Sequence, residues 1–405
     1  MSVYWIWLAQ LRGISLCAKR RLLESFQEAE ELYQLDATAL QKLPDRIGEA
    51  LQNKDLTEAQ QIFNQCRRKN IGILTFADGA YPEKLRNIED PPMVLYWRGR
   101  LPDWKARPII GVVGTRKASS YGMRTAHLLG AQIAACGGLV ASGAASGIDG
   151  AAMEGALDAG KPAVGILGGS VDVIYPAKNK DLYGRTKENG CLISEYPPGT
   201  RTWPSNFLRR NRIISGISDG VLVVEAPEKS GALNTASHAF TQGRDVFVAP
   251  GNLGVDTCLG SNALLQEGAY VALSGWDVVK LYAPLYPGAV ENRPAPVAKR
   301  EEHALPRVEE PVLVPEMSSE KKNACGKIAI DNTSKSTYSV INKQPTGLSD
   351  QELAVWELLG DAPQLPDSIL DAANLPSGTA QSILTRLAIK GVVEYCPDGR
   401  IRRKY

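Results

Sequence analysis

Apolar residues recur at helical spacing through about the first 65 positions, at Leu8, Leu11, Ile14, Ala18, Leu22 and Leu23, then Leu32, Leu35, Leu40 and Leu43. This predicts a small helical domain over 1–70, with Leu11-Arg-Gly-Ile-Ser15 as a tight turn between its first two helices. Such a helix-Gly-helix turn can hold a nucleic-acid backbone through exposed amides, or simply pack. Residues 72–99, with Tyr81-Pro82 and Asp90-Pro-Pro92, read as extended segments leading into the next domain. The period then changes. Short apolar runs at 109–114, 139–142, 163–167, 191–194, 220–225, 246–249 and 270–272 are mostly separated by amphipathic stretches of about ten to eighteen residues. Strands buried on both faces and joined by helical crossovers make a doubly wound, Rossmann-like parallel sheet, so an α/β domain is expected over 71–283.

Beyond that domain, positions 284–346 are rich in proline and mixed charge, with Lys299-Arg-Glu-Glu302 and a polar run over 332–342, and read as a flexible linker. Periodicity returns over 347–405. Leu353, Val355, Trp356, Leu358 and Leu359 mark one helix, 369–373 a second, and Ile383, Leu384, Leu387 and Ile389 a third. Gly391 to Tyr395, the turn Pro397-Asp-Gly399 and Ile401 then form a hairpin. Three helices and a hairpin outline a winged-helix-like domain. Over 348–405 there are six basic and eight acidic residues, a balance that suits protein contact at least as well as insertion into a DNA groove.

Bulk charge adds little, because 46 Lys plus Arg against 44 Asp plus Glu give a formal net charge of only +2. Anion binding therefore has to come from local clustering. Seven scattered cysteines (17, 66, 136, 191, 258, 325 and 396), without a Cys-x-x-Cys pair and with three histidines, predict a reducing cytoplasm and no structural zinc. The apolar run 3–11 is short and lacks a basic leader or a small-residue cleavage site, so neither a signal peptide nor a membrane span is expected.

The clustering sits in loops after the predicted strands, where helix N-termini favour anions. Gly114-Thr-Arg-Lys117 turns off the first strand, with Gly114 and Thr115 beside Arg116 and Lys117 as phosphate ligands or solvated cations. Ser142-Gly-Ala-Ala-Ser-Gly-Ile-Asp149 offers Ser142 and Gly143 for close backbone approach, and its Asp149 is either an N-cap or an acid/base group. Tyr175 can stack on a base while Lys178 and Lys180 reach phosphates; the plain alternative is a packed tyrosine and two surface lysines. Arg209, Arg210, Asn211 and Arg212 follow Ser194-Glu195. Arg209 and Arg212 share a helix face, and one arginine can serve as a structural partner of Glu195 or Asp219. Arg210 and Arg212 are taken as the ligands and Arg209 as peripheral. Ser230, Gly231, Asn234 and Thr235 supply donors at a further helix start, and Pro250-Gly251 follows the next strand.

Several enzyme classes are disfavoured. The chain lacks Gly-x-Gly-x-x-Gly after the first strand and lacks a P-loop, and His127 and His238 fall inside predicted helices rather than in a Ser/His/Asp arrangement. One alternative stays open, a nucleotide-processing enzyme using Glu195 or Asp149 beside a phosphate.

In order along the chain, Gly114-Thr-Arg116, Ser142 to Asp149, Tyr175-Pro176 with Asn179, Ser194-Glu195, Arg210-Asn-Arg-Ile-Ile-Ser-Gly216, Ser230 to Ala236, Gly243 to Gly251 and Gly268-Ala269 resemble the bacterial DNA-processing protein A family (DprA/Smf). The flanking domains are similar too, the first being of the SAM or helix-hairpin-helix type. The resemblance implies a non-catalytic, cofactor-free protein that binds single-stranded DNA in the Rossmann-like pocket, forms a homodimer, and loads the RecA recombinase in natural transformation. By motif, Arg116, Lys178 or Lys180, and the 210–212 segment contact phosphates. Two positions depart from the family pattern: Met153 stands where the family commonly has His, and Asn234 where it has an aliphatic residue.

Overall fold

The computed structural model describes residues 2–293, 348–359, 364, 369, 383, 384, 387, 392–395 and 401–403, in two compact units divided near position 307. The expected linker from 294 to 346, much of the second and third C-terminal helices and the turn at 397–399 lie outside the described residues.

Six helices open the chain: α1 (Ser2–Gln10), α2 (Leu16–Ser25), α3 (Ala29–Gln34), α4 (Ala37–Leu40), α5 (Asp45–Gln52) and α6 (Thr57–Arg68). Trp5, Ile6, Trp7 and Leu8 are consecutive and all buried, as befits a helix covered on every side. Gly13, at φ +84°, makes the α1–α2 turn, and buried Lys19 donates to the carbonyls of Ala9 and Leu11 at 3.0 and 2.9 Å, tying off the end of α1. Burial, with Arg209 nearby, pulls its ammonium down to about 8.

The sheet is built from β1 (Gly72–Thr75), β2 (Val94–Gly99), β3 (Ile109–Val113), β4 (Leu139–Ser142), β5 (Ala163–Ile166), β6 (Cys191–Ser194), β7 (Gly220–Val223), β8 (Asp245–Val248) and β9 (Tyr270–Val271). A short α7 (Glu83–Arg86) precedes β2, and the crossovers are α8 (Ser120–Ala135), α9 (Ile148–Asp158), α10 (Lys180–Asn189), α11 (Pro204–Ile217), α12 (Gly231–Thr241) and α13 (Asp256–Gln266), with α14 (Gly275–Val279) after β9. The spatial order is β1-β2-β6-β5-β4-β3-β7-β8-β9. From β6 across to β9 all pairings are parallel; β1 and β2 add on antiparallel, with Tyr96 opposite Ser194. The sheet is therefore mixed and mostly parallel, because 72–99 joins it as an edge pair instead of only leading into it.

Alternation along each strand splits the core into two layers. Ile110 and Val112 face α8, α9 and the N-terminal helices, whereas Ile109 and Val113 face α11 and α12. The N-terminal helices and the first layer thus share one continuous apolar cluster. Helices α8 and α9 touch backbone to backbone, since a Cβ on Gly155 would overlap the His127 carbonyl oxygen. Met153 is fully buried in this layer, where an ionisable group would carry a desolvation cost. Residues 284–293, expected as linker, are instead fixed to the α/β body: the Tyr286 hydroxyl donates to Asp219 at 3.0 Å, and the amide of Glu291 donates to the Cys136 carbonyl.

In the second unit, α15 (Asp350–Leu358) starts with a reciprocal Ser349/Glu352 capping box, and β10 (Val393–Tyr395) pairs antiparallel with β11 (Ile401–Arg403). Among the described residues, Val355, Trp356, Leu359, Ile369, Ile383, Leu384, Leu387, Val393 and Ile401 form one buried apolar cluster. The Arg403 guanidinium lies 4.1 Å over the Trp356 ring and donates to the carbonyls of Trp356 and Glu357.

Candidate nucleic-acid interface

The order in which strands are added to the sheet reverses between β3 and β7. From β3, the strands β4, β5 and β6 extend to one side and β7, β8 and β9 to the other, so the crossovers leave a crevice beyond the carboxyl ends of β3 and β7. A cavity of about 310 Å3 lies there. Its floor and first wall are Val113, Gly114, Thr115 and Arg116, held because the Thr115 amide donates to the Glu225 carbonyl at 2.7 Å. The Glu225 carboxylate accepts from the amide and hydroxyl of Ser119, and Ser119 caps α8 through the Gly122 amide. An otherwise buried acid thus serves as a pin for the loop.

The second wall is α11, which presents Phe207, Leu208, Arg210 and Asn211. The Arg116 guanidinium sits 4.1 Å over the Phe207 ring, and Tyr175 packs on the same ring from the rim at 5.7 Å. Arg210 is buried, donates to the Ile166 carbonyl and faces Asp149, while its Nε has no partner among the described residues. Gly143 makes room for this pair, since a Cβ there would overlap both the guanidinium and the carboxylate. Burial raises the Asp149 pKa above the usual carboxylate range, and Arg210, the Gly114 amide and Arg116 oppose that shift. The third wall is the start of α12: Lys229 at the rim, Ser230 capping through the Ala232 amide, Gly231 and Thr235. Asn211 ties α11 to α12 by donating to the Gly231 carbonyl at 3.0 Å and to Asn234 Oδ1 at 3.2 Å.

The structure brings Gly114, Thr115, Arg116, Arg210, Asn211, Ser230, Gly231 and Thr235 around one cavity. Asn234 stands behind it through Asn211, and Tyr175 reaches it through Phe207. Lys117, Lys178 and Lys180 are exposed outside the lining. Ser142 is fully buried and donates to the Val112 carbonyl at 2.5 Å, leaving nothing to offer a ligand. Arg212 corrects the expectation most. Its side chain is 2% exposed and donates to Glu195 and Asp90, each at 2.8 Å, whereas Arg209 is 54% exposed and lies 3.6 Å from the same Glu195. The structural member of the cluster is therefore Arg212, and the solvent-facing cation is Arg209. Phe207 and Lys229 are lining residues that sequence reasoning passed over; the signal for Phe207 was its place one helical turn before Arg210 and Asn211 on α11.

A mostly parallel sheet with a cationic crevice at its switch point defines a Rossmann-like protein whose crevice has the charge to suit an anion. The DNA recombination-mediator protein A family matches residues 72–283, and the DprA winged helix domain matches residues 342–399. The chain belongs to the DNA-processing protein A (DprA/Smf) family. Protein Smf of Synechocystis is 30% identical over 100% of this chain and 99% of its own length, and DNA processing protein DprA of Bacillus subtilis is 37% identical over 54% and 73%. The X-ray structure of DprA from Streptococcus pneumoniae is similar at TM-score 0.58 and 29% identity, covering 69% of this chain and 98% of that one. Among the described residues no helix is long and apolar enough to cross a membrane, and no cluster of His, Cys, Asp and Glu could hold a metal.

Proposed function

We propose that the switch-point cavity binds the backbone of single-stranded DNA and that the protein acts as a recombination mediator in natural transformation. One observation carries the reading: Arg116, Arg210 and Lys229 converge with the start of α12 on a cavity whose mouth is aromatic. Cations and helix amides suit phosphates, and Phe207 with exposed Tyr175 offers stacking area for bases that a duplex would keep paired. Lys117, Lys178 and Lys180 extend the cationic track beyond the cavity. Acting on DNA places the protein in the cytoplasm, in keeping with the free, largely buried cysteines among the described residues.

The mode of action in this reading is binding, without catalysis. The alternative, a nucleotide-processing enzyme, loses Glu195, which is held between Arg212 and Arg209 away from the cavity. Asp149 remains as the single acid in the lining. A second copy of the chain fits the sheet edge at β9, where Tyr270, Val271 and Leu273 are exposed. The RecA recombinase is the protein partner this reading implies. Arg116→Ala is expected to weaken binding of oligo-dT, measured by fluorescence anisotropy, and to lower the slope of log affinity against log salt by about 0.7. Parent-like affinity and slope in that variant would remove the cavity from the DNA path.

A further inference from the structure

A second cleft, of about 350 Å3, opens at the opposite end of the sheet, at the amino-terminal ends of β4, β5 and β6 and just before β3. Arg100, Arg107 and Lys161 line it, against the single carboxylate of Asp103, whose Oδ1 already accepts from the Lys105 amide at 2.9 Å. None of the three cations enters an ion pair among the described residues. Their neighbours differ. Arg98 donates to the Lys69 carbonyl at 2.7 Å, Arg185 to Asp158 at 2.6 Å, and Lys105 pairs with Glu83 at 2.9 Å. Arg107 and Lys161 are also half-buried, so they give up part of their hydration without receiving a carboxylate in return. Leu101, Pro162 and Val164 add an apolar wall beside the cations.

Two guanidinium groups and an ammonium converging on one cavity suit a multivalent oxyanion, and the apolar wall suits a group carried on it. We propose that this cleft is a second phosphate-binding site, which takes one nucleotide unit: its phosphate on Arg100, Arg107 and Lys161, its base or sugar against Leu101 and Pro162. The site shares no residue with the switch-point cavity, so it stands whether or not that cavity binds DNA. Its nucleotide comes either from a bound strand or from the free pool.

Lysine footprinting of the full chain tests this directly. Lys161 and, as an internal control, Lys105 are labelled with an amine-reactive reagent and quantified by mass spectrometry in the presence of pyrophosphate, thymidine monophosphate or a long oligo-dT. At a ligand concentration of about twice Kd, labelling of Lys161 is expected to slow about threefold while Lys105 is unchanged. Protection by the oligonucleotide alone supports the site with a strand as the source, and protection by the small phosphates supports it with free nucleotide as the source. The protection is expected to persist in Arg116→Ala and to disappear in Arg107→Ala. No protection of the parent by any of the three probes overturns the proposal, as does full protection in a folded Arg107→Ala variant.

Discussion

Replacing Arg212 by Ala is expected to damage the fold and not the ligand site. Its guanidinium holds Glu195 with two hydrogen bonds, at 2.8 and 3.3 Å, and Asp90 with one at 2.8 Å. Asp90 is 45% exposed and regains water when the arginine is removed, but Glu195, at 7%, does not. The cost is then mainly the Glu195 carboxylate, left with only the exposed Arg209 at 3.6 Å, and is about 3 kcal/mol, the lower end of the range for breaking a buried pair. At about 1.5–2 °C per kcal/mol for a body of this size, Tm should fall by roughly 5–6 °C. Differential scanning calorimetry of the full chain measures this through the transition of the larger unit. The double variant Arg212→Met with Glu195→Gln removes the stranded charge and should recover much of the loss. At a temperature where the single variant is folded, its salt slope for oligo-dT should equal the parent's. An unchanged Tm together with a lower salt slope would refute the reasoning and return Arg212 to the DNA path.

Asp149→Asn should tighten oligonucleotide binding severalfold at neutral pH, because a carboxylate beside the phosphate site is replaced by a neutral amide, and anisotropy titrations check it. Because the folded-state pKa of Asp149 is raised, the parent's affinity should rise as pH falls toward the ordinary carboxylate range, and the variant should lack that rise. Asp172 behaves oppositely: despite its burial, hydrogen bonds from Lys69, Ser170 and the Gly199 amide hold it down at about 2. A depressed folded-state pKa contributes stability at pH values above the unfolded value, lost as pH falls toward 2, so Asp172→Asn should lower Tm at pH 7 and converge with the parent in acid.

Much of the fold could be read from the pattern of apolar runs. Strands β4 and β6 have the expected bounds, and β3, β5, β7, β8 and β9 differ by a residue or two at their ends. Runs buried on both faces between helical crossovers have few other stable arrangements. The antiparallel pair β1 and β2 was not legible as part of the sheet, because the half-buried ends of both strands weaken their apolar signal and the register of β2 against β6 is a long-range pairing. The packing of 284–293 was hidden for a related reason: Tyr286 is held by Asp219, far away in sequence. In the site, helical spacing placed Arg209 and Arg212 on one face. Which of them turns inward is set by Glu195 and Asp90, on two other segments, and spacing alone carries no trace of that. Glycine and charge patterns drew attention to the loops at the strand ends, while Phe207, with neither feature, was passed over.

The central claim is that a single strand lies in the crevice between β3 and β7. Photocrosslinking with an oligo-dT carrying a photoreactive thymine, followed by mass spectrometric mapping on the full chain, tests it most directly. Adducts on Phe207 and Tyr175, suppressed in Arg116→Ala, are the predicted result. Adducts confined to residues 348–405 or to α1–α6, with none on α11 or beside Tyr175, would contradict it.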